Sequence, residues 1–252
     1  MDKNKIGIFD SGIGGAMVLK EILKVLPNEN YIYYSDSKNN PYGDKTKEEI
    51  IVICDNIVRI LLKNNCKIIV IACNTASAVA VKYLREKYTN IKFIAIEPAY
   101  KMVFDYSYDE PTLIMATKGT IESEKFNLLY NKYNNNKTEI LPCVGLADII
   151  EEGDEEKIHA YLEKHLKEYQ GRIKNVVLGC THYLTIKNNI SNVLGTVKFF
   201  DGSKSLALNL KNILINNKMV NNGKEKGLIE FIDSQKLAIK QQRFFNLLNK
   251  KF

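Results

Sequence analysis

Two cysteines stand at the ends of apolar runs and are followed at once by polar side chains. The run "IIVIACNTA" (68–76) leads into Cys73, and the run "NVVLGCTHYL" (175–184) breaks off at Cys180. Hydroxyl and amide groups follow both thiols, an arrangement that a thiol packed in a core does not need. A thiol at the start of a helix has its pKa lowered by backbone amides and the helix dipole. We therefore interpret both cysteines as reactive and expect a lowered pKa at each.

The other three cysteines fit packing roles. Cys54 lies on the apolar face of a helical pattern, Cys66 precedes a strand-like run and Cys143 follows one. The five cysteines are scattered and form no CxxC pair, which argues against a disulfide framework and a zinc site. We expect reduced thiols and no metal.

Three chemistries are open to the reactive thiols. Cys180 and His182, two residues apart, could form a nucleophile and its base. The two cysteines could form a redox pair if their sulfurs lie within bonding reach. Alternatively, one thiol could remove a proton from one face of a carbon next to a carboxylate while the other returns a proton to the opposite face, which inverts a stereocentre. The paired arrangement favours this third chemistry.

The glycine-rich turn "DSGIGG" (10–15) matches neither the dinucleotide-binding fingerprint nor a phosphate-binding loop. Glycines that open a helix can still offer backbone N–H groups to a substrate carboxylate. Asp10 at the head of the turn could cap that helix. If it faces a thiol, it could instead handle a proton or the substrate ammonium.

Apolar strand-like runs alternate with amphipathic helical patterns along the chain. Thr46 and Glu49 stand in capping-box register before a helical pattern over 46–65, and Asp154 precedes another over 154–169. The alternation predicts an α/β fold with mostly parallel sheets covered on both faces by helices. The predicted strands are 5–9, 30–34, 67–72, 91–96, 112–116, 137–141, 174–179, 196–200 and 227–232.

A spacing repeat suggests two similar domains. Cys73 and Cys180 are 107 residues apart (180 − 73), and Asp10 and Thr117 have the same separation. We predict two pseudo-symmetric α/β domains with the site in the cleft between them, because ligands of such sheets bind beyond the carboxyl ends of the strands. The predicted domains are 1–98 together with 210–252, and 99–209. The stretch from 210 onward would add one more strand and a closing helix.

Composition limits the possible classes. The chain of 252 residues is 45% hydrophobic and 26% charged, as in globular proteins. It has no apolar stretch long enough to span a bilayer and no signal-peptide core, so we expect a soluble cytoplasmic protein without membrane partners. The net charge of +7 comes mainly from dispersed lysines, with only four arginines. Since nucleic-acid surfaces usually recruit clustered arginine, nucleic-acid binding is disfavoured.

Four motifs in order carry a family resemblance. "DSGIGG", "NPYG" (40–43), "ACNTA" (72–76) and "GCTHY" (179–183) together resemble the glutamate racemases of the cofactor-independent aspartate/glutamate racemase superfamily, over essentially the whole chain. "IEPA" (96–99) fits the same pattern. The resemblance implies a pseudo-symmetric two-domain fold and interconversion of L- and D-glutamate without pyridoxal phosphate or metal. It also implies a supply of D-glutamate for peptidoglycan and a homodimer.

The resemblance also implies roles for individual residues. Cys73 would be the base for D-glutamate, assisted by Asp10, and Cys180 the base for L-glutamate, assisted by His182. An acidic residue ahead of Gly153 would assist as well, and spacing favours Glu151 over Glu152. The residues that match the family's substrate shell are Ser11, Pro41, Tyr42, Gly43, Asn74, Thr75, Thr117, Thr120 and Thr181.

Two departures from the family pattern stand out. Leu184 stands where relatives usually have proline, a change expected to affect the helix entry but not the catalytic atoms. Pro142 and Cys143 are in reversed order, in a stretch that approaches the substrate in relatives, which leaves strict glutamate specificity open. An aspartate or broad acidic amino-acid racemase is therefore an alternative, as is a basic binding protein on a racemase-like scaffold. The "DSG" start and His182 favour glutamate, because aspartate racemases usually lack that start and carry Glu after the second Cys-Thr.

Overall fold

A computed structural model describes residues 5–250, and the nine strands it contains lie within two residues of the predicted segments. Their strongly apolar sequences explain why the prediction succeeded, since strands buried on both faces of a parallel sheet carry few polar residues. The strands are β1 (Lys5–Asp10), β2 (Asn30–Ser35), β3 (Cys66–Ile71), β4 (Lys92–Ala95), β5 (Thr112–Ala116), β6 (Thr138–Pro142), β7 (Asn175–Gly179), β8 (Lys198–Phe200) and β9 (Ile229–Asp233).

Both predicted helix starts are confirmed. The Glu49 backbone N–H donates to Thr46 Oγ1 at 3.2 Å, and the Thr46 N–H donates to the Glu49 carboxylate at 2.8 Å. Asp154 caps its helix by accepting from the Lys157 N–H at 3.0 Å. The helices are α1 (Ala16–Val25), α2 (Lys47–Lys63), α3 (Asn74–Lys87), α4 (Tyr100–Ser107), α5 (Lys118–Ile121), α6 (Glu124–Tyr133), α7 (Leu146–Glu152), α8 (Glu155–Leu166), α9 (Lys187–Leu194), α10 (Ser203–Asn216) and α11 (Ala238–Asn249). Within residues 5–250, no helix combines the length and the apolar character needed to cross a bilayer.

The strands form two sheets in which every described pairing is parallel, so the predicted α/β class is confirmed. The first sheet has the order β4-β3-β1-β2-β9 and the second has the order β6-β5-β7-β8. The order β4-β3-β1-β2 in the first sheet matches the order β8-β7-β5-β6 in the second sheet, strand for strand. Strand β1 therefore corresponds to β5, and β3 corresponds to β7. Strand β9 extends the first sheet by pairing with β2.

Helices cover both faces of each sheet. Helices α1, α10 and α11 pack on one face of the first sheet, and α2 and α3 pack on the other. The second sheet lies between α8 and α9 on one face and α4 and α6 on the other. Each buried Ile, Leu or Val side chain contributes roughly 1.5–3 kcal/mol of burial free energy. The two sheets are thus well supported platforms for the residues at their carboxyl ends.

Candidate active site

The predicted functional residues lie at the carboxyl ends of the central strands of both sheets. Asp10 ends β1 and Cys73 comes two residues after β3, while Thr117 and Cys180 directly follow the corresponding strands β5 and β7. In a doubly wound sheet, chain connections leave in opposite directions from this point and open a crevice. Here the crevices of the two sheets face one another.

One cavity lies between the two sheets and encloses about 20 Å³. Asp10, Thr120 and Glu151 do not line it but lie behind it, in hydrogen-bond contact with residues that do. Asn40 and Ala147, which sequence reasoning did not single out, also contribute to its wall. The predicted residues that line the cavity are Ser11, Pro41, Tyr42, Gly43, Cys73, Asn74, Thr75, Thr117, Cys180, Thr181 and His182.

Cys73 caps the N-terminus of α3. Its sulfur accepts a hydrogen bond from the Ala76 N–H at 3.5 Å and lies 3.9 Å from Ser11 Oγ. The predicted lowering of its pKa is wrong: burial raises the pKa of Cys73, and the nearby charge of Asp10 raises it further. The amide of Ala76 compensates only in part for the lost hydration of a thiolate. Cys73 therefore holds its proton near neutral pH.

Asp10 connects the two sheets from a fully buried position. Its Oδ2 accepts from the Gly15 N–H at 2.8 Å, and its two carboxylate oxygens lie 3.3 and 3.2 Å from Thr181 Oγ1. Within residues 5–250, the hydrogen-bond partners of the Cys73 sulfur are Ser11 and Ala76, and Asp10 is not among them. Burial raises the pKa of Asp10, although His182 and the Gly15 amide oppose the rise.

Cys180 stands in a different setting. It precedes a 3₁₀-helix (Thr181–Ile186) instead of an α-helix and makes no side-chain cap. Its sulfur lies 3.7 Å from Nδ1 of His182, whose Nε2 lies 2.7 Å from Glu151 Oε2. Burial alone would lower the pKa of His182, but the contacts with Cys180 and Glu151 raise it well above its ordinary value. The geometry therefore favours an imidazolium next to the Cys180 sulfur.

Glu151, and not Glu152, is the carboxylate next to His182. Glu152 is exposed and pairs with Lys157 at 3.1 Å. Glu151 is buried, and its Oε1 lies 2.6 Å from Lys240 Nζ of α11. Burial works to raise the pKa of Glu151, but hydrogen bonds and charges from His182 and Lys240 lower it to about 2.

Replacing Glu151 by Gln is expected to lower the free energy of unfolding by about 2 to 3 kcal/mol at pH 7. The folded-state pKa lies below that of an unfolded Glu, about 4.3. The stabilisation is therefore complete above that pH and is lost as the pH falls through about 2. Urea unfolding at pH 7 and pH 3 measures it, with Glu152→Gln as the exposed control. A loss as large at pH 3 as at pH 7 contradicts an electrostatic origin.

A cluster of threonines joins the two sheets on the other side of the cavity. Thr75 Oγ1 lies 2.9 Å from Thr117 Oγ1 and 3.3 Å from Thr120 Oγ1. Beside them, the side-chain oxygen of Asn74 is buried without a hydrogen-bond donor among the described residues. The wall therefore combines hydroxyl groups that can donate with one amide oxygen ready to accept.

The glycines of the 10–15 turn allow a close approach of the second sheet's residues. A Cβ on Gly12 would lie 2.8 Å from the Glu151 carboxylate, and a Cβ on Gly14 would lie 2.8 Å from the His182 backbone nitrogen. The Ile13 and Gly15 amides already donate to the carboxylates of Glu151 and Asp10. These two amides are thus not free for a substrate carboxylate.

Sequence reasoning missed three residues that contribute to the site, and the sequence pointed to them to different degrees. Asn40 is the first residue of the "NPYG" motif, so the motif could have identified it. Ala147 carries no chemical signal. Lys240 is one of many dispersed lysines, and only the packing of α11 brings it to Glu151.

Comparisons with known proteins show what this chain is similar to. A family model described as Asp/Glu/Hydantoin racemase matches residues 16–209. A glutamate racemase of Clostridium acetobutylicum is 44% identical over 237 residues, which are 92% of this chain and 93% of that protein. The solved structure of a glutamate racemase from Francisella tularensis in complex with D-glutamate has a TM-score of 0.83 at 30% identity, covering 100% of this chain and 96% of that one. A glutamate racemase isoform from Bacillus anthracis has a TM-score of 0.85 at 25% identity, with the same coverage. The chain therefore belongs to the Asp/Glu/Hydantoin racemase family.

Proposed function

We propose that this protein is a glutamate racemase that interconverts L- and D-glutamate by proton transfer to and from two cysteines. One observation carries the proposal: thiols from corresponding strand ends of two sheets line one cavity, each with titratable groups nearby. Asp10 lies on the Cys73 side, and His182 with Glu151 lies on the Cys180 side. The names of the relatives support glutamate as the substrate.

In the proposed reaction with L-glutamate, the Cys180 thiolate takes the α-proton and the C–H electron pair stays on the substrate. The Cys73 thiol then gives its proton to the opposite face of the carbon. Burial keeps that proton on Cys73. A positive imidazolium 3.7 Å from the Cys180 sulfur stabilises negative charge there. With D-glutamate the two cysteines exchange roles.

The difficult step is to form negative charge on a carbon next to a carboxylate. Preorganised donors must stabilise that charge, and exclusion of water strengthens them. The hydroxyls of Thr75, Thr117 and Thr181 line the cavity and can rotate from their present partners to donate to the substrate carboxylates, while Asn74 supplies an acceptor for its ammonium. We propose that these groups act without pyridoxal phosphate or metal.

The proposal extends to the organisation of the protein. We propose two domains, 1–98 with 210–252 and 99–209, and the pairing of β9 with β2 supports the return of the C-terminal stretch to the first domain. We also propose a cytoplasmic homodimer whose D-glutamate supplies peptidoglycan, as the family resemblance implies.

The test is incubation of the purified protein with L-glutamate in D2O, with optical rotation and α-deuterium followed together and no cofactor added. We expect rotation to decay while deuterium enters the α-position. A folded protein that catalyses neither change with glutamate or aspartate contradicts the proposal and directs attention to salt-sensitive nucleic-acid binding.

A parallel incubation with L-aspartate separates the second candidate, an aspartate or broad acidic amino-acid racemase. The departure at 142–143 suggests it. However, neither Cys143 nor Leu184 lines the cavity; both are buried in the core of the second sheet. We therefore expect glutamate to be turned over faster than aspartate, and faster aspartate turnover would correct the substrate while keeping the mechanism.

A further inference from the structure

The C-terminal helix α11, which packs on the first sheet, reaches across to the end of α7 beside the second sheet. Lys240 Nζ lies 2.6 Å from Glu151 Oε1, with only 14% of its side chain exposed. Arg243 donates to the backbone oxygen of Ile150 at 3.1 Å and to that of Glu151. One helix therefore holds both the carboxylate of Glu151 and the last carbonyls of its helix.

The two oxygens of Glu151 have separate partners. Oε1 faces Lys240, while Oε2 accepts from the Ile13 N–H at 3.4 Å and lies 2.7 Å from His182 Nε2. A carboxylate held from both sides cannot turn away from the imidazole without breaking a charged contact. Contacts run in series from Lys240 through Glu151 and His182 to the sulfur of Cys180.

Aromatic packing fixes the position of α11. Phe244 is fully buried, with its ring centroid 4.4 Å from that of Tyr33 and 4.6 Å from that of Phe231 in β9. The Tyr33 hydroxyl in turn donates to the backbone oxygen of Gly12 at 2.8 Å. The helix that carries Lys240 is therefore tied to the glycine-rich turn of the first sheet.

We infer that Lys240 is a positioning residue for the proton transfer at Cys180, an inference that deepens the proposed racemisation and rests on it. Lys240 does not line the cavity, so it acts only through Glu151 and His182. Its ammonium holds the Glu151 carboxylate ionised and aimed at His182, which keeps the imidazolium against the Cys180 sulfur. Among the described residues, the Cys73 sulfur has Ser11 and Ala76 as its hydrogen-bond partners, and neither belongs to α11. The effect of Lys240 is therefore one-sided.

The two enantiomers have equal free energy in solution, so kcat/KM is the same in both directions for any variant. A one-sided effect therefore appears as a change in which of the two proton transfers, at Cys73 or at Cys180, limits the rate. Lys240→Met is expected to lower kcat/KM by about 10- to 100-fold, as displaced catalytic groups do. If the transfer at Cys180 becomes limiting, the primary isotope effect grows with α-deuterated L-glutamate. It shrinks with α-deuterated D-glutamate, because Cys180 then delivers a proton that did not come from the substrate.

Matched variants separate this role from a structural one. Lys240→Arg keeps the charge and is expected to restore most of the activity and both isotope effects. Lys204→Met removes an exposed lysine of α10 and is expected to change neither. If Lys240→Met melts below the assay temperature, Lys240→Gln provides an uncharged variant that keeps a hydrogen-bond donor.

The outcomes for the two proposals are distinguishable. A wild-type protein without racemisation contradicts the proposed function. An active wild type contradicts the role of Lys240 if the Met or Gln variant keeps kcat/KM within about twofold. The role is also contradicted if activity falls while both isotope effects stay at their wild-type values.

Discussion

Replacing either Cys73 or Cys180 by Ser is expected to lower glutamate racemisation by at least about 10³-fold in both directions. In the proposed mechanism, each turnover needs one cysteine to take a proton and the other to give one, so loss of either stops inversion. A serine side chain has nearly the shape of a cysteine side chain, but its hydroxyl ionises far less readily than a thiol. Because the two thiols act as a unit in the proposed mechanism, the double variant is expected to be little worse than either single variant.

Cys54→Ser provides the matched control. Cys54 is a fully buried thiol in the core formed by α2, and it does not line the cavity. The same exchange of sulfur for oxygen is expected to reduce stability there but to leave the turnover per folded molecule unchanged. Circular-dichroism assays that start from L-glutamate and from D-glutamate measure the racemisation rate of each variant. Ordinary turnover by both active-site variants rules out the two-thiol mechanism.

Asp10→Asn is expected to lower racemisation by about 10²-fold and at the same time to stabilise the folded protein. Asn keeps an oxygen that can accept from the Gly15 N–H but can no longer carry a proton or a negative charge beside Cys73. Burial raises the pKa of Asp10 above its unfolded value. The contribution of this group to stability is therefore complete below about pH 3.9 and is lost as the pH rises through the folded-state pKa.

The amide of the Asn variant does not ionise, so it avoids the cost of placing a negative charge at this buried position. We expect the free energy of unfolding of Asp10→Asn to exceed that of the wild type at pH 7, with the gain shrinking as the pH falls. Chemical unfolding at pH 7 and at lower pH, combined with the racemisation assay, tests both effects. A variant that is less stable at pH 7 contradicts the assigned direction of the pKa shift.

Asp55→Asn serves as a control for which the expected change in stability has the opposite sign. Burial works to raise the pKa of Asp55, but its contacts with Lys87, Tyr88 and Arg59 lower it overall. It lies in α2, away from the cavity. Its replacement is expected to destabilise the protein and leave racemisation unchanged.

Local patterns predicted the elements well because each pattern has a local cause. The capping box at Thr46 and Glu49 defines the start of α2 through two hydrogen bonds within one turn. The apolar runs define the strands because parallel strands are buried on both faces. The 107-residue spacing matches the shared strand order of the two sheets. These features need only a few neighbouring residues or a repeat.

What sequence reasoning missed depends on contacts between distant segments. The raised pKa of Cys73 follows from its burial and from the charge of Asp10, and neither can be read from "ACNTA". Lys240 reaches Glu151 only because Phe244 and Phe231 seat α11 against Tyr33. A long-range ion pair has no local pattern, so one lysine among many could not be selected in advance.

The size of the cavity has a consequence for how fast the protein can work. A space of about 20 Å³ holds about one water molecule, and a glutamate molecule is several times larger. Substrate can reach the thiols only if the walls separate, which breaks contacts across the cavity such as those of Thr75 with Thr117 and of Thr181 with Asp10. Each catalytic cycle therefore includes an opening and a closing, and turnover can be no faster than these motions. The contacts that close the cavity to water also limit the speed of turnover.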